Sequence, residues 1–182
     1  MARVPYVERE EMDAEGQEIY DRIRNDRKSP QVGLQFRAML HSPKAASYLT
    51  SMGAQLRFKS AIPDNLKEFA IIVIAREWNS DIEWTAHAAM AAAAGVSAES
   101  IATIRPGKAL THLTAQEMII VRFARQLLRH KKLTDKVFAA AEKLLGTQGV
   151  VDLTLTCGYY TAINMTQVAL QPEMEPGKAS TL

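Results

Sequence analysis

Apolar residues recur along this chain at spacings of three and four, and strand signals are weak throughout, so the pattern predicts helix after helix. Residues 8–25 form the first: Ile19, Tyr20 and Ile23 supply an apolar stripe, with acidic side chains early and Arg22, Arg24 and Arg27 late, the order a helix dipole prefers. A short segment around 32–41 precedes Ser42-Pro43, an N-cap residue followed by proline at the first helical position, which launches a helix over 43–59. Ile62-Pro63-Asp64 restarts the chain into 64–78, strongly apolar on one side. Asn79-Ser80 opens the next helix, closed by Gly95 as a left-handed C-cap. Ser97 begins a short helix stopped by Pro106-Gly107, and Thr114-Ala-Gln-Glu117 has the form of a capping box that starts a helix to about residue 130. Thr134 caps 135–145, Gly146 ends it, 148–170 forms the last long helix, and Pro172 and Pro176 mark an irregular tail. The fold class expected is all-α.

A faint repeat runs through this pattern. Glu68-Phe-Ala-Ile-Ile-Val-Ile-Ala-Arg76 is matched by Glu117-Met-Ile-Ile-Val-Arg-Phe-Ala-Arg125, which suggests two similar helical hairpins about a pseudo-twofold axis. In such an arrangement one copy holds chemistry, and the other, carrying Tyr159-Tyr160 and Asn164-Met165-Thr166, shapes the wall. Glu117 itself reads better as an N-terminal capping carboxylate. The organisation expected is a single domain over 1–182, with an N-terminal helical extension (1–41), a motif-bearing half (42–107), a second half (108–171) and a tail (172–182).

Composition narrows the function classes. With 182 residues and 47% hydrophobic content, the chain suffices for one ordinary globular core. A formal charge of +2 with scattered basic residues does not point to nucleic acid. The densest basic cluster, Arg129-His130-Lys131-Lys132, falls at a predicted helix end, where cations complement the dipole. No apolar run approaches the ~18 residues of a membrane span, and no signal peptide is visible, so a cytoplasmic protein is expected. The single cysteine, Cys157, sits in an apolar helix far from any candidate site and reads as an inert core residue.

Ser80-Asp-Ile-Glu-Trp-Thr-Ala-His87 carries the chemistry. Glu83 and His87 are four residues apart and share one face of a helix, and Glu68 on the preceding helix can fold back to add a second carboxylate. Taken alone, a Glu–His pair at this spacing is also found as a solvated surface pair worth only about 0.2–0.5 kcal/mol. The same three side chains offer two oxygens and a nitrogen to a metal, but the i, i+4 spacing is not the Glu-x-x-His of di-iron helices, and no His-Glu-x-x-His is present. His41, His112 and His130 show no ligand spacing.

Glu68-(x)2-Ile-(x)3-Ala-Arg, then Glu83-Trp-(x)2-His87, then Ala-Gly95-Val-Ser, together resemble the carboxymuconolactone decarboxylase family, which includes the alkylhydroperoxidase D (AhpD-like) proteins. The similarity is strongest over 63–105 and extends loosely to about residue 170. It implies an AhpD-like helical bundle and assembly into trimers or hexamers with the site near a subunit boundary. The peroxidase branch carries Cys-x-x-Cys followed by x-x-x-His. Those positions fall here on Ser80, Glu83 and His87, and that branch's relay glutamate falls on Glu68. Serine and glutamate form neither a disulfide nor a sulfenic acid, so dithiol peroxidase chemistry is excluded. Glu83 matches the decarboxylase-type branch instead.

The resemblance implies a lyase acting on a small carboxylated or lactone-like molecule, with Glu68, Glu83 and His87 as catalytic residues. Decarboxylation needs a group to hold the substrate, a low-polarity pocket, and an acid to protonate carbon, and no cofactor where the substrate is its own electron sink. His87 is the best acid/base, since its ordinary pKa near 6.5 needs little tuning. Glu68 orients it, and Glu83 serves as a second acid raised by its neighbour carboxylate. Arg76 is a candidate clamp for a substrate carboxylate or a plain C-terminal dipole partner. Trp84 is a substrate platform or, more in keeping with its type, core packing. Ser80 reads as an N-cap ahead of any substrate-binding role. Two other classes stay open: a peroxide-related protein without the thiols, and a non-catalytic helical oligomer or ligand-binding module. Apolar residues on more than one face of 43–59 and 148–170, including Tyr48, Met52, Leu56, Tyr159, Tyr160 and Met165, point to self-association.

Overall fold

The computed structural model describes residues 1–105 and 109–182; the Pro106-Gly107 stop signal lies outside the described residues. Among the described residues every regular element is helical: α1 Ala14–Asp26, α2 Leu34–Met39, α3 Pro43–Phe58, α4 Asp64–Glu77, α5 Asp81–Ala93, α6 Ala98–Ile104, α7 Ala115–Arg125 and α8 Asp135–Leu170, with a 3₁₀ turn at Arg9–Glu11 and a π turn at Gln126–His130. The all-α expectation holds. Gly146 breaks α8 into two helices at a kink (φ 70°, ψ 172°), as its position after Leu145 predicts. Gly95 takes φ +93° just past α5.

Some boundaries differ from the pattern for local reasons. The first helix starts later than residue 8, because the Asp13 carboxylate accepts from the Gly16 N–H (2.8 Å) and fixes the N-terminus there. The acidic stretch before it forms the separate 3₁₀ turn. Ser42 precedes Pro43 at the head of α3, but its side chain makes no capping bond. The α-helix begun by Thr114 gives way at Gln126 to the π turn, which carries the chain on to His130.

Two compact units are formed. The first comprises residues 1–59 and 165–179. Within it α1 and α2 pack on α3, burying Tyr20, Ile23, Phe36 and Leu56. The Glu175 carboxylate accepts from the Leu34 N–H at 2.7 Å. It comes so close to Gly33 that a Cβ there would lie 2.9 Å from Oε1.

The second unit, residues 60–164 and 180–182, is organised around α4, against which α5, α6 and α7 pack. The sequence suggests one apolar side for α4, whereas every residue from Leu66 to Ala75 is buried. Ile71-Ile72-Val73-Ile74 is a β-branched run that costs helix propensity, at most about 0.7 kcal/mol per residue. Burial of each such side chain returns about 1.5–3 kcal/mol, so tertiary packing decides the conformation. The two helices that carry the repeat, α4 and α7, are in direct contact.

At the C-terminal end of α4, Glu77 accepts from Arg125 Nε (2.8 Å) and Arg129 Nη2 (2.6 Å), tying α4 to α7 and the π turn. Burial raises the Glu77 pKa, but the hydrogen bonds from Arg129 and Arg125 outweigh it and hold the carboxyl below its ordinary 4.5. A depressed carboxylate contributes stability above its unfolded pKa and loses it as pH falls through the folded one. Glu77→Ala is therefore expected to cost about 1–3 kcal/mol at pH 7, discounted because Arg129 is half exposed. In urea titrations the gap to wild type should shrink below the ordinary carboxylate range; an equal gap at both pH values would show that the loss is packing alone.

Candidate active site

The site is built where α5 crosses the N-terminal half of α4. Ser80 is the N-cap of α5, its hydroxyl accepting from the Glu83 N–H at 3.2 Å, which leaves Ser80 a structural task at the helix start. One turn on, Glu83, Trp84 and His87 point inward, and all three are buried. Glu68, on the second turn of α4, meets them from the facing helix and is itself buried.

His87 is held at both nitrogens. Its Nδ1 lies 2.6 Å from Glu68 Oε2. Its Nε2 lies 3.4 Å from Glu83 Oε2 and 3.3 Å from the Tyr160 hydroxyl. An ionised carboxylate only accepts, so Nδ1 carries a proton and donates it to Glu68. With His87 and Glu83 each only 4% exposed, water screens these contacts little. Burial lowers the imidazole pKa, but the hydrogen bonds and charges of Glu68 and Glu83 outweigh it, and the net direction is upward from 6.5. The cluster thus favours an imidazolium clamped between two carboxylates, a group able to give up a proton in a dry setting.

The sequence brings three of its site candidates together, Glu68, Glu83 and His87. It does not do so for the others. Arg76 sits in the last turn of α4 and hydrogen-bonds the Asn79 side chain. Trp84 is fully buried, and its indole Nε1 has no hydrogen-bond partner among the described residues. Cys157 is buried in α8, and burial pushes its thiol up to about 12, which leaves it un-ionised and unreactive. Glu117 completes the Thr114 capping box and accepts from Ser100 Oγ at 2.9 Å, so the second copy of the repeat uses its glutamate structurally. Among the described residues no group of three or more His, Cys, Asp or Glu side chains is arranged to hold a metal ion.

Tyr160 is the site member that residue spacing does not assign. Its ring stands edge-on to His87 (centroids 5.2 Å apart, 88°) and to Tyr159 (5.0 Å, 86°), so packing on both sides fixes it. Asn164, one turn further along α8, donates from Nδ2 to the Tyr160 carbonyl at 2.6 Å. The only hint in the sequence is that Tyr159-Tyr160 falls on the helix expected to form the opposite wall.

Of the self-association candidates, Leu56, Tyr159 and Tyr160 are buried within the chain, which corrects the expectation that they need a partner. Tyr48, Met52 and Met165 are exposed. No helix among the described residues is long and apolar enough to cross a membrane.

No curated protein matches the chain. A family model does match, over residues 43–126, a span that contains Glu68, Glu83 and His87 and stops short of Tyr160. The matching model is that of the Carboxymuconolactone decarboxylase family, and the chain, helical among its described residues, with a buried Glu–His–Glu cluster and one cysteine, and hence no Cys-x-x-Cys pair, is similar to it over that span.

Proposed function

We propose that this protein is a lyase that removes a carboxylate from a small carboxylated or lactone-like molecule by acid/base catalysis at His87. The observation that carries the reading is the buried imidazole held between Glu68 and Glu83. As the C–C bond to the carboxylate breaks, carbon dioxide leaves and its bonding electrons pass into the conjugated lactone or enoyl system. The Nε2 proton of His87 then goes to substrate carbon. Glu68 keeps Nδ1 protonated and the ring in place, so Nε2 is the nitrogen that exchanges its proton. Glu83, beside Nε2, is the second carboxylate through which that proton is restored. The substrate is its own electron sink, so the step calls for no cofactor. Positioned proton transfer supplies about 10²–10⁴-fold, and the remainder comes from substrate binding. The test is carbon dioxide release from 4-carboxymuconolactone and related carboxylated lactones. Release that is lost in Glu83→Gln supports the reading, and no release from any of them overturns it.

Self-association is part of the same reading. Tyr48 on α3 is 78% exposed, and Val151, Leu155 and Met165 on α8 are exposed as well, apolar side chains of the kind a subunit contact covers. A trimer or hexamer is expected by light scattering at micromolar concentration; a monomer would sink this part of the proposal.

A further inference from the structure

We propose that Tyr160 is a positioning residue that lets His87 release its proton, by serving as hydrogen-bond acceptor to Nε2 when the imidazole is charged and as donor to Nε2 when it is neutral. The proposal rests on the acid/base reading of the same site. Its starting point is a difficulty in that site: two buried carboxylates hold an imidazolium firmly, and a proton held too firmly is not delivered.

Once Nε2 has given up its proton it presents a lone pair. Glu83 Oε2, 3.4 Å away, can only accept when ionised and so faces that lone pair with a negative charge. The Tyr160 hydroxyl, 3.3 Å from Nε2, has both a proton and lone pairs and turns about its C–O bond to suit either state. Of the two groups described at Nε2, it alone fits neutral His87 while Glu83 is ionised. Its placement is fixed independently of the hydrogen bond, by edge-on contact with His87 on one side and Tyr159 on the other. Tyr160 is buried, so in this role it is not replaced at no cost by bulk water.

The titratable groups facing the imidazole are Glu68 from α4, Glu83 from α5 and Tyr160 from α8. Several other charged residues of these helices and their neighbours are engaged elsewhere. Lys67 pairs with Asp64, Glu77 with Arg125 and Arg129, and Asp81 with Ser180. Glu117 belongs to its capping box, Glu99 lines a separate hollow with His112, and Cys157 stays un-ionised.

The experiment is an NMR titration of the His87 ring in the full chain, which needs no substrate. Glu83 is at hand to accept from charged Nε2 whether or not the hydroxyl is there, so Tyr160→Phe costs the neutral form more and moves the midpoint upward by about one pH unit, a tenfold change in the equilibrium. Glu83→Gln, which removes a carboxylate that supports the charged form, moves it downward. Tyr160→Leu is read beside Tyr160→Phe, so that one poorly folded variant does not decide the matter, and it must move the midpoint the same way. An unchanged or lowered midpoint in the Tyr160 variants overturns the proposal, because it would make the phenol a spectator or a plain acceptor. Failure of the lactone assay with the midpoint shifted as expected would remove the decarboxylase reading and leave the Tyr160 role intact.

Discussion

His87→Ala is expected to lower turnover of a true substrate by about 10²–10⁴-fold, the usual worth of a positioned acid or base. The variant also leaves Glu68 and Glu83 facing a space without the cation that lies between them, in a setting almost closed to water. Removing one partner from a buried ionic cluster typically costs about 3–5 kcal/mol. A carboxylate in that position relieves part of the cost by taking up a proton, and the advantage of wild type over the variant is expected to shrink as pH rises through the folded value of His87. The sign in wild type follows from the raised pKa of His87. A group whose folded pKa lies above its unfolded value contributes its full stabilisation below the unfolded value, here near 6.5, and loses it as pH rises through the folded one. Denaturation midpoints at mildly acidic and alkaline pH, measured with kcat/KM, separate the two effects. Intact turnover in a folded His87→Ala protein would refute His87 as the acid.

The second large effect is expected at Trp84. Truncation to alanine empties the space of the largest fully buried side chain, and such changes cost about 3–5 kcal/mol. Trp84→Phe should cost much less. The indole Nε1 has no hydrogen-bond partner among the described residues, so the loss is volume alone. If Trp84 is packing that backs the site, the phenylalanine variant keeps KM near the wild-type value while its thermal midpoint falls modestly. If Trp84 is a platform for substrate, KM rises in a variant of nearly wild-type stability. That second pattern would return Trp84 to the substrate-binding set that its neighbourhood with Glu83 suggests.

The contrast between Trp84 and Tyr160 shows where reading residues in order works and where it stops. Glu83 and His87 are legible because helical spacing alone places them on one face. Glu68 becomes legible once the two helices are expected to fold back, and Ser80 announces itself as a cap by residue type. The turn signals at Gly95 and Gly146 locate breaks correctly because glycine readily takes positive φ. What no local rule supplies is which residue of a distant helix meets His87. Tyr159 and Tyr160 are adjacent, both are buried, and only the way α8 is turned in the packed structure decides which hydroxyl reaches Nε2. The same blindness affects α4. Its pattern reads as one apolar side because Lys67 and Glu68 interrupt it, yet both are covered, one paired with Asp64 and the other with His87. The repeat misleads in the opposite direction. Glu68 and Glu117 occupy matching places in the sequence, but one lies on the second turn of its helix and the other at the third position, where a cap is the nearer use.

The sealed environment of α4 also sets the two helices of the site apart. A helix with ten consecutive residues covered, Leu66 to Ala75, cannot roll or slide without dragging apolar side chains past several neighbours at once. α5 packs on α4 and α6 and meets Tyr160 of α8, but Ala86, Ala89, Met90 and Ala93 along its outer face meet solvent. Glu68 therefore stands on a helix sealed on every side, whereas Glu83 and His87 stand on one whose far face is open to water, so substitutions on that outer face of α5 reach the site's second helix without disturbing the carboxylate opposite.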